Sequence, residues 1–212
     1  MREKFMETKT KVILIIIAAL LVLLFIVSLM SYFSKGKRKG RAAERKVAGV
    51  LKKMGKNDNV RIINNAFLPL YRKTCEIDHL VFGRFGVLVV ETKGISGTVS
   101  GKGKYLKHQL GEITHKLYNP ELQNKTHMDN VTHHLKKGGF DNVPVYGAVV
   151  FTDKDIRLES NVGMKLDQFK DYFEKLPDAG CNQDVLFHRF EEIKVTNPIR
   201  KFFHRFNKKD WD

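Results

Sequence analysis

Only two cysteines, Cys75 and Cys181, occur in 212 residues, and they are not spaced as metal ligands. That excludes a disulfide framework and a cysteine-based zinc module, suits a reducing compartment, and leaves Cys75 as a buried strand residue. Acidic residues are also scarce, 23 against 38 lysines and arginines, for a formal net charge of +15. The imbalance favours polyanionic partners, nucleic acid or anionic lipid, without choosing between them. There is no internal repeat, no low-complexity tract, no helicase motif and no Gly-x-x-x-x-Gly-Lys-Ser/Thr loop. Any unwinding of a duplex would therefore fall to a helicase or other DNA-processing partner. Nothing in the chain reports an oligomeric state.

What is present begins with one long apolar run. Residues 12–30 carry no charge and a single hydroxyl, Ser28. As a helix at 1.5 Å rise they cover about 28 Å, close to the hydrocarbon thickness of a bilayer. The run exceeds a signal-peptide core, and Leu29-Met30-Ser31-Tyr32 offers no small-x-small cleavage site, so an uncleaved anchor over 12–33 is expected after a tail at 1–11. Lys35, Lys37, Arg38, Lys39 and Arg41 follow it without interleaved acids. The positive-inside tendency then puts a single-pass protein in the cell membrane with its main domain cytoplasmic, and the same cluster suits anionic headgroups.

The remainder is long enough for one compact domain. After a basic linker at 34–39, apolar spacing predicts a helix over 40–54 ending at Gly55. Strands are expected at 60–70, trailing into a loop at Pro69, and at 75–82 and 86–93, the last two joined by the tight turn Gly83-Arg84-Phe85-Gly86. The glycine-rich stretch 94–111, holding Lys102, Lys104 and Lys107, reads as a mobile loop or short hairpin over a site. Asn119-Pro120 opens a helix that runs to about Lys137 and stops at Gly138-Gly139, and 143–151 is a buried strand. The core order αβββαβ implies an α/β fold, a mixed sheet flanked by helices, over 40–160. A helical extension follows over 161–212, with one face carrying Leu166, Phe169, Tyr172, Phe173 and Leu176. A last helix opens at Asn197-Pro198, with Phe202, Phe203 and Phe206 together and a basic side that suits packing or a membrane surface.

The chemistry concentrates on the hairpin. If it turns tightly about Arg84-Phe85, Asp78 lies opposite Glu91 and Glu76 opposite Lys93, and alternation puts all four on one face. That face continues through Leu80, Phe82, Val87 and Val89, and the other carries Ile77, His79, Val81, Leu88 and Val90. Both faces are apolar, so the strands are central, and two opposed carboxylates there repel unless a cation or proton intervenes. Asp78 and Glu91 are hard oxygen ligands suited to Mg²⁺ or Mn²⁺, with the Thr92 carbonyl as a third. Lys93 can orient a water, help deprotonate it, or neutralise charge on a phosphate. The bland alternative is a solvated hairpin face on which carboxylates are ordinary.

These stretches resemble the nuclease-related domain, a family of the PD-(D/E)xK nuclease superfamily. The likeness rests on Glu76-Ile-Asp-His79, on Gly86-Val-Leu-Val-Val-Glu-Thr-Lys93 with Gly97-Thr98, and on Asn119-Pro-Glu-Leu-Gln-Asn124 with His127. It implies a restriction-endonuclease-like fold and metal-dependent cleavage of nucleic acid, DNA ahead of RNA, with Asp78, Glu91 and Lys93 in the central roles. It also implies that Gln123 borders the site and that Glu44, in Arg41-Ala-Ala-Glu44, is the glutamate of the first helix, although Ala43 stands where the family usually has glycine. Residue 77 is isoleucine where the superfamily name has proline. His127, one turn after Gln123, is placed to reach the site or a phosphate, as are the loop lysines 102, 104 and 107. Two rivals stand beside this reading: a non-catalytic, membrane-tethered nucleic-acid-binding module, and an interaction protein at the membrane surface.

Overall fold

The computed structural model describes the backbone of residues 2–70, 73–199 and 201, and their side chains except 2–15, 29–35, 37 and 57–58. Helix α1 spans Arg2–Asp58 and passes through Gly55, where the sequence predicts its end. The chain forms two compact units, 1–41 and 42–212. In the first, the large apolar side chains from Ile16 to Val27 are each 46–68% exposed. Among the described residues, no helix is long and apolar enough to cross a membrane. The expected span 12–33 includes residues 12–15 and 29–33, whose side chains lie outside the described set.

The second unit is built on a five-stranded mixed sheet in the order β1-β2-β3-β7-β9, formed by Arg61–Leu70, Lys73–Gly83, Gly86–Lys93, Val145–Phe151 and Met164–Lys165. The first three strands form an antiparallel meander, and β3 then pairs parallel with β7 and β7 with β9. The β2–β3 turn is the tight one expected, Gly83 pairing with Gly86. Gly86 has φ +109°, and a Cβ there would stand 2.3 Å from the Pro144 carbonyl oxygen that accepts the Val87 N–H. Only glycine lets the turn approach β7 so closely.

Helices cover both faces. On one, Val131 and Leu135 of α2 (Pro120–Lys137) and Leu186 and Phe190 of α4 (Gln183–Ile193) pack on Leu80, Phe82, Val87 and Val89. On the other, Val47 and Leu51 of α1 and Phe169 and Phe173 of α3 (Leu166–Glu174) pack on Val81, Leu88, Val90 and Val150. Strand β3, buried along seven of its eight residues, therefore runs through the middle of the unit, as its two apolar faces require. Helix α2 starts where predicted: the Asn119 side chain accepts from the Glu121 N–H, with Pro120 in the first turn.

The stretch after β3 takes the hairpin form of the two expected, Thr98–Ser100 pairing antiparallel with Lys107–Gln109, and is larger than expected. A second sheet, β6-β5-β4-β8, uses Ile113–Tyr118, Tyr105–Leu110, Gly97–Ser100 and Ile156–Leu158. Strand β6 carries almost no hydrophobic alternation, because four of its six residues are exposed, and a strand wet on both faces leaves no period to read. Helix α4 lies within the expected helical extension, but the sequence does not delimit it, since only Leu186 and Phe190 bury fully along its eleven residues. The last helix does open at Pro198 under the Asn197 side chain, but Phe202, Phe203 and Phe206 lie outside the described residues.

Candidate active site

Strands β2 and β3 pair in the expected register from Gly83–Gly86 to His79–Val90, and there the ladder stops. Beyond it, β2 stays with β1 and β3 stays with β7, Glu91 pairing with Val149 and Lys93 with Phe151. The sheet forks where Asp78 faces Glu91. The β1–β2 ladder also skips one pair at this level, Asn65 opposite Asp78, and Asn65 takes the left-handed conformation at φ +52°. Asparagine tolerates that region better than most residues.

The interruption changes which side chains face inward. Cys75 and Ile77 share a core cluster with Leu80 and Phe82, so strict alternation, which put Ile77 on the opposite face, fails at Asp78. Glu76, expected beside Asp78 and Lys93, lies beyond that break and pairs across from Phe67. Alternation therefore does not carry it to the site.

Six of the residues singled out in the sequence do converge. The Thr92 N–H, released from the ladder, donates to Asp78 Oδ2 at 2.8 Å. Lys93 Nζ stands 2.9 Å from Glu91 Oε1 and donates to Gln123 Oε1 at 3.0 Å. Helix α2 thus delivers Gln123 from its first turn to the end of β3. One turn further, the buried His127 puts Nδ1 3.5 Å from Glu91 Oε2. Burial, then the Glu91 charge, raise the Asp78 carboxyl well above the usual carboxylate range, and the charge of Glu44 on α1 adds to the rise. The Thr92 N–H and Lys93 act the other way without reversing it. Lys102, Lys104 and Lys107 are exposed on the β4–β5 connection and β5 and share no hydrogen bond or ion pair with these residues among the described ones.

His79, on the opposite face, is buried and hydrogen-bonds Asn64 Oδ1 through Nδ1 at 2.7 Å. Burial lowers its pKa to about 4, which outweighs the opposing effect of Glu91, so the ring is neutral. His134, for which the sequence suggests no partner, has Nε2 2.9 Å from the Pro69 carbonyl oxygen.

The donor set fits a hard divalent cation. Glu91 Oε2 is buried without a hydrogen-bond partner among the described residues, and the half-buried Asp78 carboxyl acts on the same site. No group of three His, Cys, Asp or Glu side chains is disposed to hold a metal among the described residues. Two carboxylates suffice for Mg²⁺, which keeps several waters and seldom has an all-protein cage.

Residues 39–152 match the profile of the nuclease-related domain, more than half of the chain. The chain belongs to this family. Nuclease-related domains lie within the PD-(D/E)xK-like nuclease superfamily, so the fork at Asp78, Glu91 and Lys93 falls inside a nuclease-like domain. An uncharacterized protein of Bacillus anthracis is 31% identical over 173 residues, covering 78% of this chain and 80% of that one. No solved structure matches the chain.

Proposed function

We propose that this nuclease-related domain hydrolyses phosphodiester bonds of nucleic acid, DNA ahead of RNA, using Mg²⁺ or Mn²⁺ held by Asp78, Glu91 and the Thr92 carbonyl. The observation that carries this reading is the pairing of the half-buried Asp78 carboxyl with the buried Glu91 carboxylate, with Lys93 bridging Glu91 and Gln123. A cation bound there supplies Lewis-acid polarisation of a phosphoryl oxygen and an acidified water. Thr92 N–H fixes the Asp78 carboxylate by holding Oδ2. Gln123 and Glu91 hold the Lys93 ammonium at the end of β3, where it orients the attacking water and offsets charge developing on the phosphate. His127 steadies Glu91 from behind. Glu44 adds negative charge that strengthens the site's demand for a cation.

The exposed apolar stretch from Ile16 to Val27 supports a membrane anchor over 12–33, and the basic cluster from Lys35 to Arg41 supports a domain on the cytoplasmic side. The test incubates the full chain in detergent with single- and double-stranded DNA and RNA, in Mg²⁺, in Mn²⁺ and in chelator. The expected result is metal-dependent cleavage that Asp78→Ala abolishes while binding persists. Binding without cleavage in every metal would refute the enzyme and leave a tethered nucleic-acid-binding module. Recovery in the membrane fraction, lost on deletion of 12–33, checks the anchor.

A further inference from the structure

The β5–β6 hairpin has two unlike faces. Leu106 and Leu117 pair across it and pack into the third core cluster with Val99, Phe151 and Ile156. Alternation turns Tyr105 and Tyr118, Lys107 and Lys116, and Gln109 and Thr114 to the opposite, outward face. Lys107 and Lys116 are both exposed and directly opposed, and neither has an acidic partner among the described residues. Cross-strand like charges weaken a hairpin, so this face is built for an anion rather than for stability.

One pair along, the Tyr105 ring is 48% exposed and is held edge-on by Tyr118, centroids 5.9 Å apart at 74°. Lys104 Nζ stands 5.6 Å from its centroid. A steadied, solvent-facing aromatic ring amid unpaired cations is the arrangement by which proteins stack a base and hold its flanking phosphates. The face is also tied to the active site. Asn119 donates its N–H to the Lys104 carbonyl at 3.0 Å and its side-chain amide to the Gly103 carbonyl at 2.9 Å, while its Oδ1 caps α2, whose Gln123 holds Lys93.

We propose that the outward face of the β5–β6 hairpin is a strand-binding platform, on which Lys107 and Lys116 hold backbone phosphates and Tyr105 stacks one base of an unpaired nucleic-acid segment bound for the active site. This rests on the proposed nuclease activity for its substrate. It adds Tyr105, Tyr118 and Lys116 to the surface and commits that surface to single strands, because a base within a duplex cannot offer its face to Tyr105. Glu112, between the exposed Leu110 and Ile113 at the hairpin tip, argues against a lipid surface.

The test measures binding by the full chain in detergent, in chelator so that nothing is cut, using fluorescence anisotropy of a labelled oligothymidylate of about 20 nucleotides, enough for one site. A matching duplex and phosphatidylserine vesicles form the other arms. Tyr105→Ala is expected to weaken single-strand binding about tenfold with little effect on duplex, and Tyr105→Phe to retain it. Lys107→Gln with Lys116→Gln is expected to flatten the slope of log affinity against log salt by about 1.4, near 0.7 per lost phosphate contact. Lys170→Gln on α3 is the control and should change neither. Unchanged affinity and slope in the hairpin variants overturn the proposal. So does equal loss on duplex and single strand in Tyr105→Ala, or loss confined to vesicle binding. Because binding is read without cleavage, hairpin-dependent binding by a protein that never cuts in Mg²⁺ would support the platform while refuting the activity.

Discussion

Replacing Asp78 by asparagine should make the protein more stable while abolishing its activity. The change keeps the shape and leaves an amide oxygen to accept the Thr92 N–H, so the one hydrogen bond the fork gives Asp78 survives. It removes a half-buried carboxyl that desolvation, Glu91 and Glu44 all disfavour as an anion. Two like charges at the spacing of strand neighbours, about 5 Å, repel by about 3 kcal/mol at an effective dielectric of 20. Loss of the attraction to Lys93 and partial protonation of Asp78 cancel part of that, leaving a net gain of about 1–2 kcal/mol. In a domain of this size that is an increase of about 2–8 °C in Tm. The assay is thermal unfolding of the full chain in detergent, with chelator and with Mg²⁺. At a hundredfold excess over Kd, Mg²⁺ should stabilise the wild type by about 2.7 kcal/mol and Asp78→Asn by far less. The sign with pH follows from linkage. Because the folded carboxyl holds its proton to a higher pH than the unfolded one, wild-type stability falls as pH rises through the interval between the two and stays lower above it. Asp78→Asn should lose that slope. A variant less stable than wild type in chelator would show that Asp78 is not a destabilising charge, and equal stabilisation of both by Mg²⁺ would show that it is not a ligand.

Lys93→Ala should lower single-turnover cleavage by about 10²–10³, the range for losing a donor aimed at developing charge, without raising the Mg²⁺ requirement. Gln123→Ala, which frees Lys93 on one side, should cost about tenfold in kcat, and an effect confined to metal affinity would show that Gln123 does not act through Lys93. His79 titrates near 4 when folded, against 6.5 unfolded. Below about pH 6.5 the unfolded chain therefore takes up a proton that the folded chain refuses, and stability should fall by about 3 kcal/mol on reaching pH 4. His79→Gln should remove this loss in pH-dependent denaturant titrations and leave the opposite slope from Asp78. Asn65→Gly should be tolerated, whereas Asn65→Val, a β-branched residue at φ +52°, should cost about 1–3 kcal/mol by chemical denaturation.

Much of this geometry was legible because it depends on local rules. The two-residue turn at Arg84-Phe85 set the β2–β3 register, the two apolar faces made β3 central, and Asn119-Pro120 marked the start of α2. Together these put Glu91, Lys93 and Gln123 at one end of the sheet. Glu76 is where alternation fails, because it assumes an unbroken pleat and nothing local to β2 announces the break at Asp78. Its sign lies in the adjacent Asn64-Asn65 of β1, an unusual pair amid Ile62, Ile63, Ala66 and Phe67. Glycines are the loudest signal over 94–111, which is why the sequence leaves loop and short hairpin side by side there and gives no sign of β6. In the fold one of them, Gly97 at φ +91°, begins β4 where any Cβ would meet the Gln109 carbonyl oxygen at 2.2 Å.

Several costs fall within a few residues of the fork. Asn65 is left-handed, His79 Nε2 and Glu91 Oε2 are buried without hydrogen-bond partners among the described residues, and Asp78 is a carboxyl pressed toward its neutral form. Each alone is an ordinary imperfection costing on the order of 1–3 kcal/mol. Ile77, Leu80 and Val89 stand nearby with none of these costs, so the surrounding sheet can accommodate apolar residues. Their concentration has one geometric result. The fork withdraws Asp78 from pairing with β3, hands its carboxylate the Thr92 N–H that the ladder would have used, and leaves Glu91 on β3 facing it beside Lys93. A continuous ladder would have closed that gap with backbone. Strain and unsatisfied polar atoms gathered where two carboxylates meet are what a functional site looks like when stability gives way to chemistry.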